Sequence, residues 1–139
     1  MPDPVGYSGK PLVAKLGVKP GQRLLAIDAP AHYPNLIAPV PEGASFVRAN
    51  WERAEPGADV VHAFFVDRAG LAAKAATLVR LPASGGMIWV SWSKKTSPLF
   101  RDLTEDGVRE FMLPTGWVDV KVAAVNVDWS GLKFLRRRF

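Results

Sequence analysis

The spacing of apolar and polar positions changes along this chain, and each change marks an element. Leu12, Val13 and Leu16 share one helical face, with Pro11 suited to a first helical position and Gly17 to a stop, so a two-turn helix is predicted. Residues 23–28 (Arg-Leu-Leu-Ala-Ile-Asp) are nearly continuous in apolar side chains, as expected of a first, central strand covered on both faces. Pro30, Pro34, Pro39 and Pro41 then forbid a long helix and leave room for one or two turns around 35–38. A short second strand is predicted at 44–49, a polar loop at 55–58 and a third, almost wholly apolar strand at 59–66.

Asp67 is placed to cap a helix running to about Leu81, with Leu71, Ala75 and Leu78 at helical spacing and Pro82 ending it. Ser84-Gly85-Gly86 turns into a fourth strand at 87–92. Thr104 is the expected cap of the last helix, with Glu105 and Asp106 in its first turn, Leu103 stapled against Val108, and Pro114-Thr115-Gly116 closing it. From there buried runs give way to alternation: Val118, Val120, Val122 and Ala124 alternate with Asp119, Lys121 and Ala123, and a turn at 128–131 leads into 132–135. That pattern is an antiparallel hairpin. Strand, helix, strand, strand, helix, strand, helix, hairpin predicts a Rossmann-like α/β fold: one twisted, mostly parallel sheet, helices on both faces and a C-terminal antiparallel hairpin.

Composition sets the limits. At 139 residues, 48% hydrophobic and 22% charged, the chain is expected to form a single domain over 1–139. It has no cysteine and two histidines, His32 and His62, which removes thiolate metal sites and thiol nucleophiles and leaves little for zinc. Eighteen Lys and Arg against 13 Asp and Glu give a net charge of +5, which permits an anionic partner. Much of the excess sits at Lys94-Lys95 and Arg136-Arg137-Arg138. The start at Met1 lacks the basic and apolar regions of a secretory signal, and no apolar run approaches the roughly 20 residues that span a bilayer, so a cytoplasmic location and no membrane contact are expected.

In sheets of this kind ligands bind beyond the carboxyl ends of the parallel strands, near the point where strand order reverses. The loops placed there are 28–35, 50–52, 67–68 and 93–97. Lys94 and Lys95 leave the fourth strand beside Thr96 and Ser97, whose hydroxyls and amides could complete an anion site; the plainer role is a solvated pair guarding an apolar strand. His32 and Tyr33 follow the first strand and could reach a ligand as donors or as acid and base. Trp51 and Trp92, at strand ends, could flank it. Trp89 falls on the opposite face from Trp92 and belongs to the core, as His62 does, while Trp129 reads as a structural plug. Asp119 and Lys121 are placed on one face of a strand, and Asp128 in the turn. Ser8, Ser91, Ser93 and Ser130 show no nucleophile-elbow pattern, and no metal or phosphate-loop motif is present. Arg136 to Arg138 could touch nucleic acid or an acidic lipid surface but serve more simply to guard a sheet edge, since no recognition helix accompanies them.

Residues 18–28 (Val-Lys-Pro-Gly-Gln-Arg-Leu-Leu-Ala-Ile-Asp) and 81–90 (Leu-Pro-Ala-Ser-Gly-Gly-Met-Ile-Trp-Val) resemble the approaches to two strands in class I S-adenosylmethionine-dependent methyltransferases, and the terminal helix plus hairpin fits the same layout. Where that superfamily has a glycine-rich loop, this chain has Ala29-Pro30-Ala31-His32-Tyr33, and Arg48, Ala49 and Asn50 stand where an acidic residue would hold ribose hydroxyls. Tyr7-Ser8-Gly9, Lys19-Pro20-Gly21, 88–95 (Ile-Trp-Val-Ser-Trp-Ser-Lys-Lys), 118–122 and Trp129-Ser130-Gly131-Leu132 are similar to a bacterial family known as domain of unknown function 3052, with Ser93 where proline is expected. That resemblance implies a fold and no activity. The expectation is a non-catalytic Rossmann-like domain that binds a small anionic ligand through Lys94, Lys95, His32, Tyr33 and Trp51, with no cofactor assigned. The alternatives are a divergent S-adenosylmethionine-dependent methyltransferase, or an interaction module whose hairpin edge or arginine tail, Arg136 to Arg138, docks on a partner protein or nucleic acid, the hairpin edge also allowing a homo-oligomer. Specific nucleic-acid binding is not expected.

Overall fold

The computed structural model describes residues 11–137. In chain order the elements are α1 (Leu12–Leu16), β1 (Arg23–Ile27), α2 (Tyr33–Ile37), β2 (Ser45–Ala49), β3 (Ala58–Phe65), α3 (Arg68–Leu78), β4 (Pro82–Ser93), α4 (Glu105–Met112), a 3-10 turn (Leu113–Thr115), β5 (Trp117–Ala124) and β6 (Trp129–Arg136). The six strands form one sheet in the order β2-β1-β3-β4-β6-β5. β1 runs parallel to β2 and β3, β3 runs parallel to β4, and β6 is antiparallel to both β4 and β5. This is the predicted Rossmann-like α/β arrangement.

Strand alternation sorts the core into two layers. Leu25, Ile27, Val61, Ala63, Phe65, Ile88, Val90 and Trp92 face α3 and α4, meeting Leu71, Leu78, Val108 and Met112. The intervening Leu24, Ala26, Val60, Phe64 and Trp89 face α1 and α2, meeting Leu16, Tyr33 and Ile37. Each layer is continuous because residues 24–27, 60–65 and 87–92 of the inner strands are apolar except at His62 and Ser91, the signature of a sheet covered twice. α1, only five residues long, is fastened by Trp89, whose indole N–H donates to the Leu16 carbonyl at 2.9 Å.

Both predicted caps form. The Asp67 carboxylate accepts from the Gly70 N–H at 2.7 Å and the Thr104 hydroxyl accepts from the Gly107 N–H at 3.2 Å, while Leu103 and Val108 are fully buried. Several details depart from the sequence reading, among them the start of β4 at Pro82 rather than 87. Pro11 stands before α1 as its cap residue, because its ψ of 147° is extended. α3 ends at Leu78, with Val79 capping it, so the chain has already turned before Leu81. β1 lies one strand in from the edge, because residues 50–57 return directly to β3 and add nothing outside β2. β6 is likewise interior, so the basic tail continues an inner strand and the edge is β5; Arg138 and Phe139 lie outside the described residues, as does Tyr7-Ser8-Gly9.

Asp119 and Lys121 do not share a face. Asp119 pairs with Phe134 and Lys121 with Lys133, so Val120 is an extra residue that shifts the register between them. The bulge turns Asp119 toward α4, where it takes the Arg109 Nε–H at 2.9 Å, and sets Lys121 directly across from Lys133 on the opposite face.

Candidate functional site

Strand order reverses between β1 and β3, and the carboxyl ends of β1, β2, β3 and β4 open on one edge of the sheet. The hairpin turn organises that edge. Asn126 Oδ1 accepts from the Asp128 and Trp129 N–H groups, each at 2.9 Å, which stiffens the turn. From it Asp128 holds the β4 loop: its carbonyl accepts from the Lys94 N–H at 2.7 Å and its carboxylate accepts from the Ser97 hydroxyl at 2.8 Å. Ser97 Oγ in turn accepts from the Leu99 N–H at 3.1 Å. On the other side the Asn126 amide meets His32 Nε2 at 2.9 Å, joining the loops after β1 and β5. Asn126 was missed in the sequence; its spacing to Asp128, the Asx-turn pattern, was the available signal.

Within this edge a cavity of about 490 Å³ lies between the end of β4 and the start of α4, lined by Trp92, Lys94, Lys95, Thr104, Glu105 and Asp106 among others. The two carboxylates are already engaged: Arg109 reaches Glu105 at 2.6 Å and Asp106 at 3.2 Å, as well as Asp119. Donating to the Asp119 and Glu105 carboxylates makes the Arg109 guanidinium still harder to deprotonate. Neither Lys94 nor Lys95 takes part in an ion pair among the described residues, and Lys95 is exposed. The cavity therefore pairs uncommitted ammonium groups with hydroxyls from Thr104 and Ser130.

The predicted site residues do not converge. Lys94 and Lys95 line the cavity together, with Trp92 in its wall. His32 is exposed and tied to Asn126 across the edge. Trp51 is half-buried against Phe65, ring centroids 5.7 Å apart, with Lys74 Nζ 5.7 Å over its ring, so it covers the α3 side of the core. Tyr33 is fully buried and does not reach the strand-end surface; its hydroxyl lies 2.7 Å from His62 Nδ1, and His62 Nε2 lies 2.6 Å from Ser91 Oγ. Burial pushes His62 down to about 3 and Tyr33 well above its ordinary value of 10.0, so both are neutral. A neutral Tyr33 hydroxyl donates to Nδ1, which leaves Nε2–H to donate to Ser91. Every member is satisfied, and the chain Tyr33-His62-Ser91 is a core network between β1's loop, β3 and β4.

The loop after β1 is closed on itself. The Asp28 N–H donates to the Ala49 carbonyl at 3.1 Å and the Tyr33 N–H to the Pro30 carbonyl at 2.9 Å. The Ala29 and Pro30 carbonyls receive the Arg48 guanidinium at 3.0 and 3.2 Å. Pro30 and Pro34 carry no N–H, and Asp28 takes the positive φ of 55° that a glycine would take at least cost. A dinucleotide or adenosyl group held in the glycine-rich manner needs free N–H donors and close backbone approach here. Here the Asp28 and Tyr33 N–H groups are taken, Pro30 has none, no glycine stands between 29 and 33, and Arg48 lies at the β2 end where a carboxylate would take ribose hydroxyls. Among the described residues no cluster of His, Asp or Glu could hold a metal ion, and no helix is long and apolar enough to cross a membrane.

No protein-family model matches the chain, and no curated protein does. Solved structures do. An S-adenosylmethionine-dependent methyltransferase from Aquifex aeolicus is similar with a TM-score of 0.65 at 13% identity, covering 95% of this chain and 93% of that one. Fibrillarin, a pre-rRNA processing protein of Methanococcus jannaschii, is similar with a TM-score of 0.62 at 11% identity, over 96% of this chain and 71% of that one. A Bordetella parapertussis protein described as a possible exported protein gives a TM-score of 0.65 at 10% identity over 91% of this chain, which spans 66% of its length. The fold is thus methyltransferase-like.

Proposed function

We propose that this chain is a non-catalytic binding domain on a methyltransferase-like frame, taking a small phosphate- or carboxylate-bearing ligand in the cavity at the end of β4. The observation that carries the reading is the pair Lys94 and Lys95, free of ion pairs among the described residues, in a strand-end cavity whose own carboxylates, Glu105 and Asp106, are both drawn to Arg109. An incoming anion there meets two ammonium groups and two hydroxyls without displacing an internal partner. Asp128 and Ser97 hold the loop in place, so little ordering is required on binding. His32 and Trp51 lie outside this cavity and are assigned no ligand contact. The likeness to a bacterial family of unknown function rests on the residues quoted for it. The test is thermal unfolding with a panel of phosphorylated and carboxylated metabolites. A ligand at about 100 times its Kd should stabilise by about 2.7 kcal/mol. The shift should vanish in the Lys94→Ala, Lys95→Ala protein; a panel without any shift, or shifts unchanged in that variant, would sink the reading.

A divergent methyltransferase is the second reading, supported by the shared fold of the Aquifex enzyme over nearly the whole of both chains. It requires S-adenosylmethionine to be held by the loop after β1, which has no glycine between 29 and 33. Calorimetric titration with millimolar S-adenosylmethionine decides it, saturable heat favouring the enzyme and its absence removing it.

A further inference from the structure

The sheet has a second opening, at the opposite end of the strands from Lys94 and Lys95. The ladder joining β4 to β6 stops at Ile88 and Phe134. Beyond that point the two strands separate. On β4, Pro82 pairs with Ala58 and Met87 with Val60, so residues 83–86 loop out against the single β3 residue Asp59, with Gly85 at a φ of 78°. A Cβ on Gly86 would lie 2.9 Å from both the Ala83 and Asp59 carbonyl oxygens, so the loop keeps this shape only with glycine there. Meanwhile β6 stays with β5 to the pair Trp117 and Arg136, and the Arg137 N–H closes the end by donating to the Gly116 carbonyl at 2.8 Å.

The divergence leaves a cleft of about 1110 Å³. Arg80, Arg136 and Arg137 line it from the end of α3 and the end of β6, and among the described residues no acidic one does. All three arginines are exposed and none forms an ion pair among the described residues. Between them lie the apolar side chains of Val79, Val118 and Leu135, with Val120 51% exposed at the hairpin edge. One wall is thus a strand that, over Leu135 and Arg136, pairs on its β4-facing side with none of the described residues, and the lining combines cationic with apolar side chains.

We infer that this cleft seats an extended acidic segment of a partner protein, added as a strand alongside the end of β6. An extended chain presents side chains to alternate sides, so one of alternating carboxylate and apolar residues would satisfy guanidiniums and apolar lining at once. Guanidinium suits this because it meets a carboxylate with two parallel N–H donors. The apolar lining suits side chains better than a sugar-phosphate backbone, which makes an acidic peptide a better occupant than nucleic acid.

The test is fluorescence polarisation with a labelled peptide of alternating glutamate and valine, titrated with the full chain. Saturable binding that persists at moderate salt is expected, weakened at least about tenfold by Arg80→Ala with Arg136→Ala, since charge-assisted bonds are lost. Both arginines are exposed, and circular dichroism checks that the variant is folded. Lys94→Ala with Lys95→Ala should leave peptide affinity unchanged, which separates this site from the β4-end cavity. N-methylation of the peptide backbone on one edge should abolish binding. The inference is overturned if the peptide does not bind, if a glutamate-glycine peptide binds equally well, or if a single-stranded oligonucleotide displaces it at equal concentration.

Discussion

His62 is the residue whose burial has the largest measurable consequence. Enclosed between Tyr33 and Ser91, its pKa is lowered to about 3 by desolvation, against 6.5 in the unfolded chain. The unfolded chain therefore takes up a proton first as pH falls. Stability is complete above about pH 6.5 and is lost between there and pH 3, with a slope approaching about 1.4 kcal/mol per pH unit. Urea unfolding from pH 7 to pH 4 should show that slope in the native protein and a flatter one in His62→Gln; equal slopes would remove His62 as the cause. Tyr33→Phe should cost about 1–3 kcal/mol by leaving Nδ1 without its donor. The cross-strand pair Lys121 and Lys133 is a residue-scale liability of the other sign. Burial, then Lys121 and Lys19, lower the Lys133 pKa. Lys121→Glu is expected to stabilise by about 0.5 kcal/mol at low salt, less as salt rises, read from denaturation midpoints.

Elements differ in how openly the sequence declares them. Asp67 and Thr104 were legible as caps because an N-cap is a local event, a side-chain oxygen three residues from an N–H, and each Ala substitution should cost about 1 kcal/mol in unfolding free energy. The buried strands were legible from their continuous apolar runs. The bulge at Val120 was not, because alternation of Val118, Val120 and Val122 reads as a regular strand; only the partner positions, Phe134 against Asp119 and Lys133 against Lys121, reveal the extra residue. Residues 83–86 read as a turn before the strand for the same reason, since only the pairing of Pro82 with Ala58, far away in sequence, brings them into β4. Tyr33 was misplaced because the sequence gives its position after β1 but not the direction of its side chain, which α2 turns inward onto His62.

At the scale of the whole molecule, the sheet order and two covered faces make a methyltransferase-like frame, while the edge chemistry differs from what the frame suggests. The placement of Lys94 and Lys95 was legible, since both stand at the carboxyl end of β4 beside a cavity. Its membership was not, because His32 is drawn toward Asn126, Trp51 toward Phe65 and Tyr33 into the core by contacts distant in sequence. Two openings lie at opposite ends of the strands, one lined by Lys94 and Lys95 beside Glu105 and Asp106, the other by Arg80, Arg136 and Arg137. The most direct measurement is a backbone amide NMR titration of the full chain with pyrophosphate as the probe anion. Shifts concentrated at residues 92–97, 103–106 and Ser130 are expected, and shifts concentrated at residues 28–33 and 49–52 instead would contradict ligand binding at the end of β4.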